Sequence, residues 1–252
     1  LSDSEGSTAG LVIIGNEILS GRTQDTNART LAQRLGTIGI PLREVRIVPD
    51  EDWAIVEAVE ALRLRCTYVF TTGGIGPTHD DITAASIAAA FGLPLERDAE
   101  AERILRAHYG TDLTEARLKM AEMPRGATLI ENPVSAAPGF RIGNVLVLAG
   151  VPKIMQAMLE SVLPGLSGGP PLLSRAISAA AREGDIAAAL SAIQDRWPAV
   201  EIGSYPWARG GLVGTTLVAR GTDRAVLEAV VTDLCAMIDG MGLDATILER
   251  GA

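Results

Sequence analysis

The first two thirds of the chain alternate between two hydrophobic periods. Residues 11–14 (Leu-Val-Ile-Ile) are an unbroken apolar run ending at Gly15, the pattern of a strand covered on both faces. Further strands read at 41–48, 68–72, 140–142 and 145–148. Between them the apolar positions switch to helical spacing. Leu31 and Leu35 share one face of a helix that Asp25 or Thr26 can cap and Gly36 can stop. Ile55, Val56, Val59 and Leu62 do the same for a helix capped by Asp50 or Asp52. An Ala-rich helix at 82–91 closes at Gly92 and Pro94, and more helices are expected at 99–108, 114–122 and 153–163. Repeated strand–helix–strand order predicts an α/β domain, a mostly parallel sheet with helices on both faces.

The run Pro164-Gly165-Leu166-Ser167-Gly168-Gly169-Pro170-Pro171 breaks this order with turn-formers and reads as a linker. Beyond it the pattern predicts a strand at 172–180 and a helix from Gly184-Asp185 to Trp197. Strands at 200–205 and 212–219, a helix starting at Asp223 and a last strand at 245–248 follow. Such an order suits a small two-layer α+β domain. The expected organisation is a loose terminus and expression remnant at 1–10, an α/β domain at 11–166 and an α+β domain at 172–252.

Composition narrows the function. The net charge of -9 argues against nucleic acid as a partner, which needs a basic footprint. No apolar run reaches the ~18 residues of a membrane helix, and residues 1–10 lack the marks of a signal peptide. Cys66 and Cys235 lie far apart in sequence and read as reduced thiols, which points to the cytoplasm. With two histidines, His79 and His108, a histidine-rich zinc site is excluded.

In an open parallel sheet, ligands bind outside the carboxyl ends of the strands. Gly15, Asn16 and Glu17 follow the first expected strand, Asp50 the second, and Gly150, Pro152 and Lys153 the strand at 145–148. The third is followed by Thr72-Gly73-Gly74-Ile75-Gly76-Pro77-Thr78-His79-Asp80-Asp81. Glycines there let the backbone approach an anion at a helix start. Neither the dinucleotide nor the Walker A spacing is present. Asp80 and Asp81 at the same helix start exceed what capping needs, and would repel a phosphate. A divalent cation between them and the phosphate removes that conflict. Asp80, Asp81 and His79 are therefore the candidate metal ligands, with Asp50 a third carboxylate, and Thr78 and Thr83 could add hydroxyl donors. Glu17 could accept hydrogen bonds from a base or ribose. Asn132, Pro138 and Gly139 belong to turns. Lys153 at a helix start, mildly unfavourable for a cation, hints at a ligand or carboxylate partner.

Six segments together resemble a known family: Gly-Asn-Glu-Ile-Leu-Ser-Gly at 15–21, Asp25-Thr26-Asn27, Val48-Pro49-Asp50, the stretch 71–83, Ala-Pro-Gly-Phe at 137–140 and Leu-Ala-Gly-Val-Pro at 148–152. They look like the molybdopterin-binding domain of CinA (competence/damage-inducible protein A), related to MogA and MoaB of molybdenum cofactor synthesis. The match spans residues 9–165. Residues 182–186 and 201–206 are similar to the stretch that follows this domain in CinA-like proteins and in animal-type FAD synthases. The nicotinamide-nucleotide deamidase domain of full-length CinA has no counterpart in these 252 residues.

By resemblance, Asp81 and Asp50 match the functional aspartates of molybdopterin adenylyltransferases, and Asp80 replaces an arginine usual there. Asp81, Asp50 and Asp80 are thus the expected catalytic residues. Ligand binding is expected from Gly15, Asn16, Glu17, Thr72, Gly73, Gly74, Gly76, Thr78, Asn132, Pro138, Gly139, Gly150, Pro152 and Lys153. The resemblance implies a small phosphorylated ligand, nucleotide or molybdopterin, and a homo-oligomer (dimer or trimer). Some CinA-like domains hydrolyse the pyrophosphate of ADP-ribose or FAD with Mg, Mn or Co. Two other readings stand beside this: molybdopterin adenylyl transfer or binding, and a non-catalytic nucleotide-binding module.

Overall fold

The computed structural model describes residues 6–248, and the chain divides into two compact units, Leu1–Gly169 and Pro170–Ala252. The first unit opens with β1 (Ala9–Ile14), α1 (Asn16–Leu19), α2 (Asn27–Gly36), β2 (Leu42–Val48), α3 (Asp52–Arg63), β3 (Tyr68–Thr72) and α4 (Thr83–Ala90). It continues with β4 (Leu95–Arg97), α5 (Ala99–Tyr109), α6 (Glu115–Leu118), β5 (Glu122–Pro124), β6 (Thr128–Ile130), β7 (Gly139–Ile142), β8 (Val145–Leu148) and α7 (Pro152–Val162). Its sheet has the order β2-β1-β3-β8-β7-β6. The first four of these strands are parallel, β7 pairs antiparallel with β8, and β6 pairs antiparallel with β7.

Alternation along the strands divides the core. Val12, Ile14, Val69, Val145 and Val147 pack with Ile55, Val59 and Ile87 on one face. Leu11, Ile13, Phe70, Leu146 and Leu148 pack with Leu31, Leu35, Met155 and Leu159 on the other. The sheet is therefore sandwiched by α3 and α4 on one side and by α2 and α7 on the other, as the all-apolar strands require.

Several boundaries differ from expectation. Residues 1–5 of the expected loose terminus lie outside the described residues. Ala9 and Gly10, placed in that terminus, belong to β1, because β2 and β3 extend far enough to pair with them. The expected helix at 114–122 stops at Leu118. A 3-10 turn follows, and then β5, which pairs with β4 in a two-stranded sheet. Strands β4, β5 and β6 have three residues each, too short to leave a period in the sequence. Much of the expected linker is bound to the first unit: Ser167 N–H donates to the Tyr68 hydroxyl at 2.9 Å and Gly169 N–H to the Gly39 carbonyl at 3.3 Å.

The second unit contains β9 (Leu173–Ala179), α8 (Glu183–Arg196), β10 (Glu201–Arg209), β11 (Leu212–Gly221), α9 (Arg224–Gly240) and β12 (Thr246–Leu248). Its antiparallel sheet has the order β10-β11-β9-β12. Helix α9 lays Leu227, Val230, Leu234 and Ile238 into a core with Ile177, Leu217 and Ala219. Asp223 caps α9 by accepting the N–H groups of Ala225 and Val226. No side chain caps α8, in contrast to the expected cap at Gly184-Asp185. Strand β10 runs past Tyr205 and through Pro206 to Arg209, which an edge strand tolerates. Gly210 and Gly211, both at positive φ, then form the two-residue turn into β11.

Leu146 is 1% exposed in the middle of the first sheet. Leu146→Ala should lower the stability of that unit by ~2–5 kcal/mol, read by urea unfolding.

Candidate functional site

Connection β1→β2 leads to one side of β1, and β3 lies on the other. The carboxyl ends of β1 and β3 therefore form a topological switch point, where open α/β sheets leave a crevice. A crevice of about 390 Å³ lies there. Ile14 and Glu17 come from the end of β1, Asp50 from β2, residues 73–77, Asp80 and Asp81 from β3, and Ala149, Gly150 and Val151 from β8. All four parallel strands contribute. Asn132, Ser135 and Ala137 before β7, Tyr109 at the end of α5 and Met120 complete the wall.

The floor is made of glycine. Gly73 has φ +105°, and a Cβ there would lie 2.1 Å from the Ile14 carbonyl oxygen. Gly74 has φ +63°, and its Cβ would meet Thr83 Oγ1 at 2.3 Å. A Cβ on Gly150 would lie 3.1 Å from Gly73 Cα. Thr83 pins this loop from the helix side: its hydroxyl donates to the Gly73 carbonyl at 2.9 Å and its N–H to the Gly74 carbonyl at 3.1 Å. The Thr83 hydroxyl is buried and spent on that bond, so it offers no donor to a ligand.

Neither aspartate caps α4, which begins at Thr83 without a side-chain cap. Both instead converge on Thr78. The Thr78 N–H donates to Asp81 Oδ2 at 2.8 Å, and the Thr78 hydroxyl lies 2.5 Å from Asp81 Oδ2 and 2.6 Å from Asp80 Oδ1. A hydroxyl carries one hydrogen, so one proton serves two carboxylates. That hydroxyl holds the Asp80 carboxyl below its ordinary range, with further help from its own backbone N–H, His79 and Lys119. Asp50 does not cap α3 either. Its Oδ2 accepts the Asn16 N–H at 2.8 Å, tying the end of β2 to α1. Asp52, the other expected cap, accepts a hydrogen bond from the buried Ser86 hydroxyl at 2.7 Å.

The other candidates divide into two groups. Glu17, Gly73, Gly74, Gly76, Asn132 and Gly150 line the crevice with Asp50, Asp80 and Asp81. The Asn132 amide is consumed by its own turn, donating to Ser135 Oγ and the Ala137 carbonyl and accepting from two backbone N–H groups. Gly15, Asn16, Thr72, Thr78, Pro138, Gly139, Pro152, Lys153 and His79 are not among its lining residues. Gly139 lets β7 approach β8, since a Cβ would lie 2.2 Å from the Val147 carbonyl oxygen. Lys153 and Pro152 are exposed at the start of α7. His79 is on the tip of the turn, its side chain 97% exposed and its Nδ1 3.9 Å from Asp80. Asp80, Asp81 and His79 are not gathered into a cage, and no group of three or more metal-ligating side chains occurs among the described residues.

Two residues outside the expected site list also shape it, Asn27 from the Asp25-Thr26-Asn27 segment and Lys119, which had no signal in the sequence. Asn27, 5% exposed at the start of α2, donates to the Gly150 carbonyl at 2.8 Å and so fixes the β8 loop. Lys119 donates from Nζ to the Thr78 carbonyl at 2.7 Å. It lies by a smaller compartment of about 80 Å³ behind the glycine loop, lined mainly by apolar residues such as Ala84, Ala85, Leu95 and Phe140, with Pro138.

Fold and site together define an α/β protein with a crevice at the carboxyl ends of its parallel strands. Residues 10–168 match the family model described as a probable molybdopterin binding domain, and residues 171–245 match the middle domain of FAD synthase. The chain belongs to the CinA-like molybdopterin-binding domain family. A protein of Pyrobaculum arsenaticum is 40% identical over 222 residues, 83% of either chain. The crystal structure of a CinA protein of unknown function from Thermoplasma acidophilum matches with a TM-score of 0.60 and 38% identity. It covers 63% of this chain and 97% of that one. A MoaB from Thermus thermophilus aligns at 21% identity with a TM-score of 0.43, over 64% of this chain and 91% of that one. No helix among the described residues is long and apolar enough to cross a membrane.

The glycine floor yields a direct test. Gly73→Ala should destabilise the first unit by at least ~1–3 kcal/mol from its backbone conformation alone, measured by urea unfolding.

Proposed function

We propose that the crevice binds a dinucleotide-type pyrophosphate, such as ADP-ribose or FAD, with a divalent cation, and hydrolyses it. One observation carries the reading. Four carboxylates, Glu17, Asp50, Asp80 and Asp81, line the crevice, and no lysine or arginine does. A pyrophosphate brought there alone meets like charge and no cationic side chain among the lining residues. A cation resolves this, and the donors fit one mode of binding it. Without a three-ligand cluster a closed protein cage does not fit. One or two carboxylates completed by ligand oxygens and water do, as Mg²⁺ is commonly held.

Asp81 and Asp80 would hold the ion, which when bound supplies charge neutralisation and acidifies water. The chain's own residues do the rest. The Gly73–Gly76 backbone brings the pyrophosphate close without a side chain in the way. Asp50, whose Oδ2 accepts the Asn16 N–H, would act as a further ligand or accept a proton from the attacking water. Glu17 would accept hydrogen bonds from a ribose or base, and Tyr109 and Met120 line the same crevice. Molybdopterin binding is the second reading, supported by the family to which residues 10–168 belong. Calorimetry with molybdopterin and ATP turnover separate it from the first. A non-catalytic nucleotide-binding module is the third reading, and implies no turnover at all.

With Mg²⁺, Mn²⁺ or Co²⁺, the protein should release AMP from ADP-ribose or FAD, followed by chromatography. Asp81→Asn should cut that rate by ~100-fold or more while leaving the unfolding midpoint near that of the unmodified protein. Intact substrates with all three metals would overturn the hydrolase reading.

A further inference from the structure

Both ends of the loop after β3 are anchored. Ile75 and Ile82 pack against the core, and Thr83 holds the Gly73 and Gly74 carbonyls. Its tip is not: residues 77–80 are exposed to solvent. Hydrogen bonds within the tip run from Thr78 to Asp80 and Asp81 and back. Those bonds set the two carboxylates relative to Thr78 but not relative to the crevice. Among the described residues, the hydrogen bonds of 75–82 reach one partner outside the loop and the helix that follows it. That partner is Lys119, 41 positions away, whose Nζ donates to the Thr78 carbonyl at 2.7 Å.

We propose that Lys119 is a positioning residue that latches the acidic turn in place, so that Asp80 and Asp81 meet the ligand-borne cation already oriented. Its base is firm. Lys119 begins the 3-10 turn Lys119–Ala121, and Leu118 and Ala121 on either side are buried. Among the described residues Lys119 forms no salt bridge, and its Nζ hydrogen bond goes to the Thr78 carbonyl. Thr78 is the hub. Its carbonyl receives the lysine, while its N–H and hydroxyl face the carboxylates. Moving that one residue moves both acids. The functional consequence rests on the metal-assisted reading above; the latch itself does not.

Charge and position predict opposite signs. As a nearby cation, Lys119 repels a metal ion, and its removal should tighten metal binding. As a latch it lowers the cost of ordering two acids, and its removal should weaken binding. Hydrogen exchange at the Thr78 and Asp81 amides and calorimetric titration with Mn²⁺ alone, on the full chain, decide between them. Lys119→Met should speed exchange at both amides by about tenfold, the scale of one hydrogen bond. It should weaken Mn²⁺ binding by about five- to tenfold despite the lost repulsion. Lys119→Arg, which keeps a long cationic donor, should restore both. Unchanged exchange in Lys119→Met, or tighter Mn²⁺ binding, would overturn the proposal. If exchange responds but the unmodified protein binds no Mn²⁺, the latch stands and the metal reading falls. If Mn²⁺ binds and exchange does not respond, the reverse holds. Lys119→Gln provides the same two readouts if the methionine variant does not fold, with exchange and affinity expected between those of Lys119→Met and Lys119→Arg.

Discussion

Close approach of backbone to backbone at the ends of β1, β3 and β8 is the constraint on which the site depends. Gly73 lies against the Ile14 carbonyl, and Gly150 against Gly73. A single Cβ at Gly73 would push these strand ends apart and remove the floor over which the loops converge. The sheet supplies the rest: parallel strands place all their carboxyl ends on one edge, and the order β2-β1-β3 opens a gap there. Packing on both faces makes that edge rigid, with Val12, Val69 and Val147 on one side and Leu11, Phe70 and Leu148 on the other.

The polar groups are organised as tethers before they are anything else. Asp50 ties α1, Asn27 ties the β8 loop, Asn132 shapes the turn before β7 and Thr83 secures the glycines. What remains unspent at the rim is negative. The two carboxylates on Thr78 share one hydroxyl proton, so the turn carries more charge than its own donors neutralise. This imbalance is what distinguishes the crevice from a simple phosphate cradle at a helix start.

Much of this was legible in the sequence because the signals were periodic or local. The apolar runs gave β1, β3 and β8, and helical spacing gave α2, α3 and α7, with boundaries off by one or two residues. Loop positions followed from the rule for parallel sheets, which drew Glu17, Asp50, Asp81 and Gly150 into one list. Other features left no such trace. Lys119 and Tyr109 enter through tertiary folding of the α5–α6 segment, where three-residue strands carry no period. Asp80 and Asp81 read in the sequence as lying at the start of a helix from residue 82, whereas α4 begins at Thr83, whose hydroxyl and N–H engage the loop. Thr83, Thr78 and Lys153 each bear groups suited to ligands, and sequence alone does not reveal which are already occupied by the backbone.

The glycine floor has a consequence for how such a scaffold can change. Gly73 and Gly74 leave no room for side chains and Gly150 leaves little, so new chemistry is hard to introduce from below. Diversity must be introduced at the exposed tip, residues 77–80, where a substitution costs little packing. Replacing one acidic side chain there by a basic one changes the local charge by two without touching the core. A family built on this backbone can therefore move between ligands of different charge by single steps, while the fold that presents them stays the same.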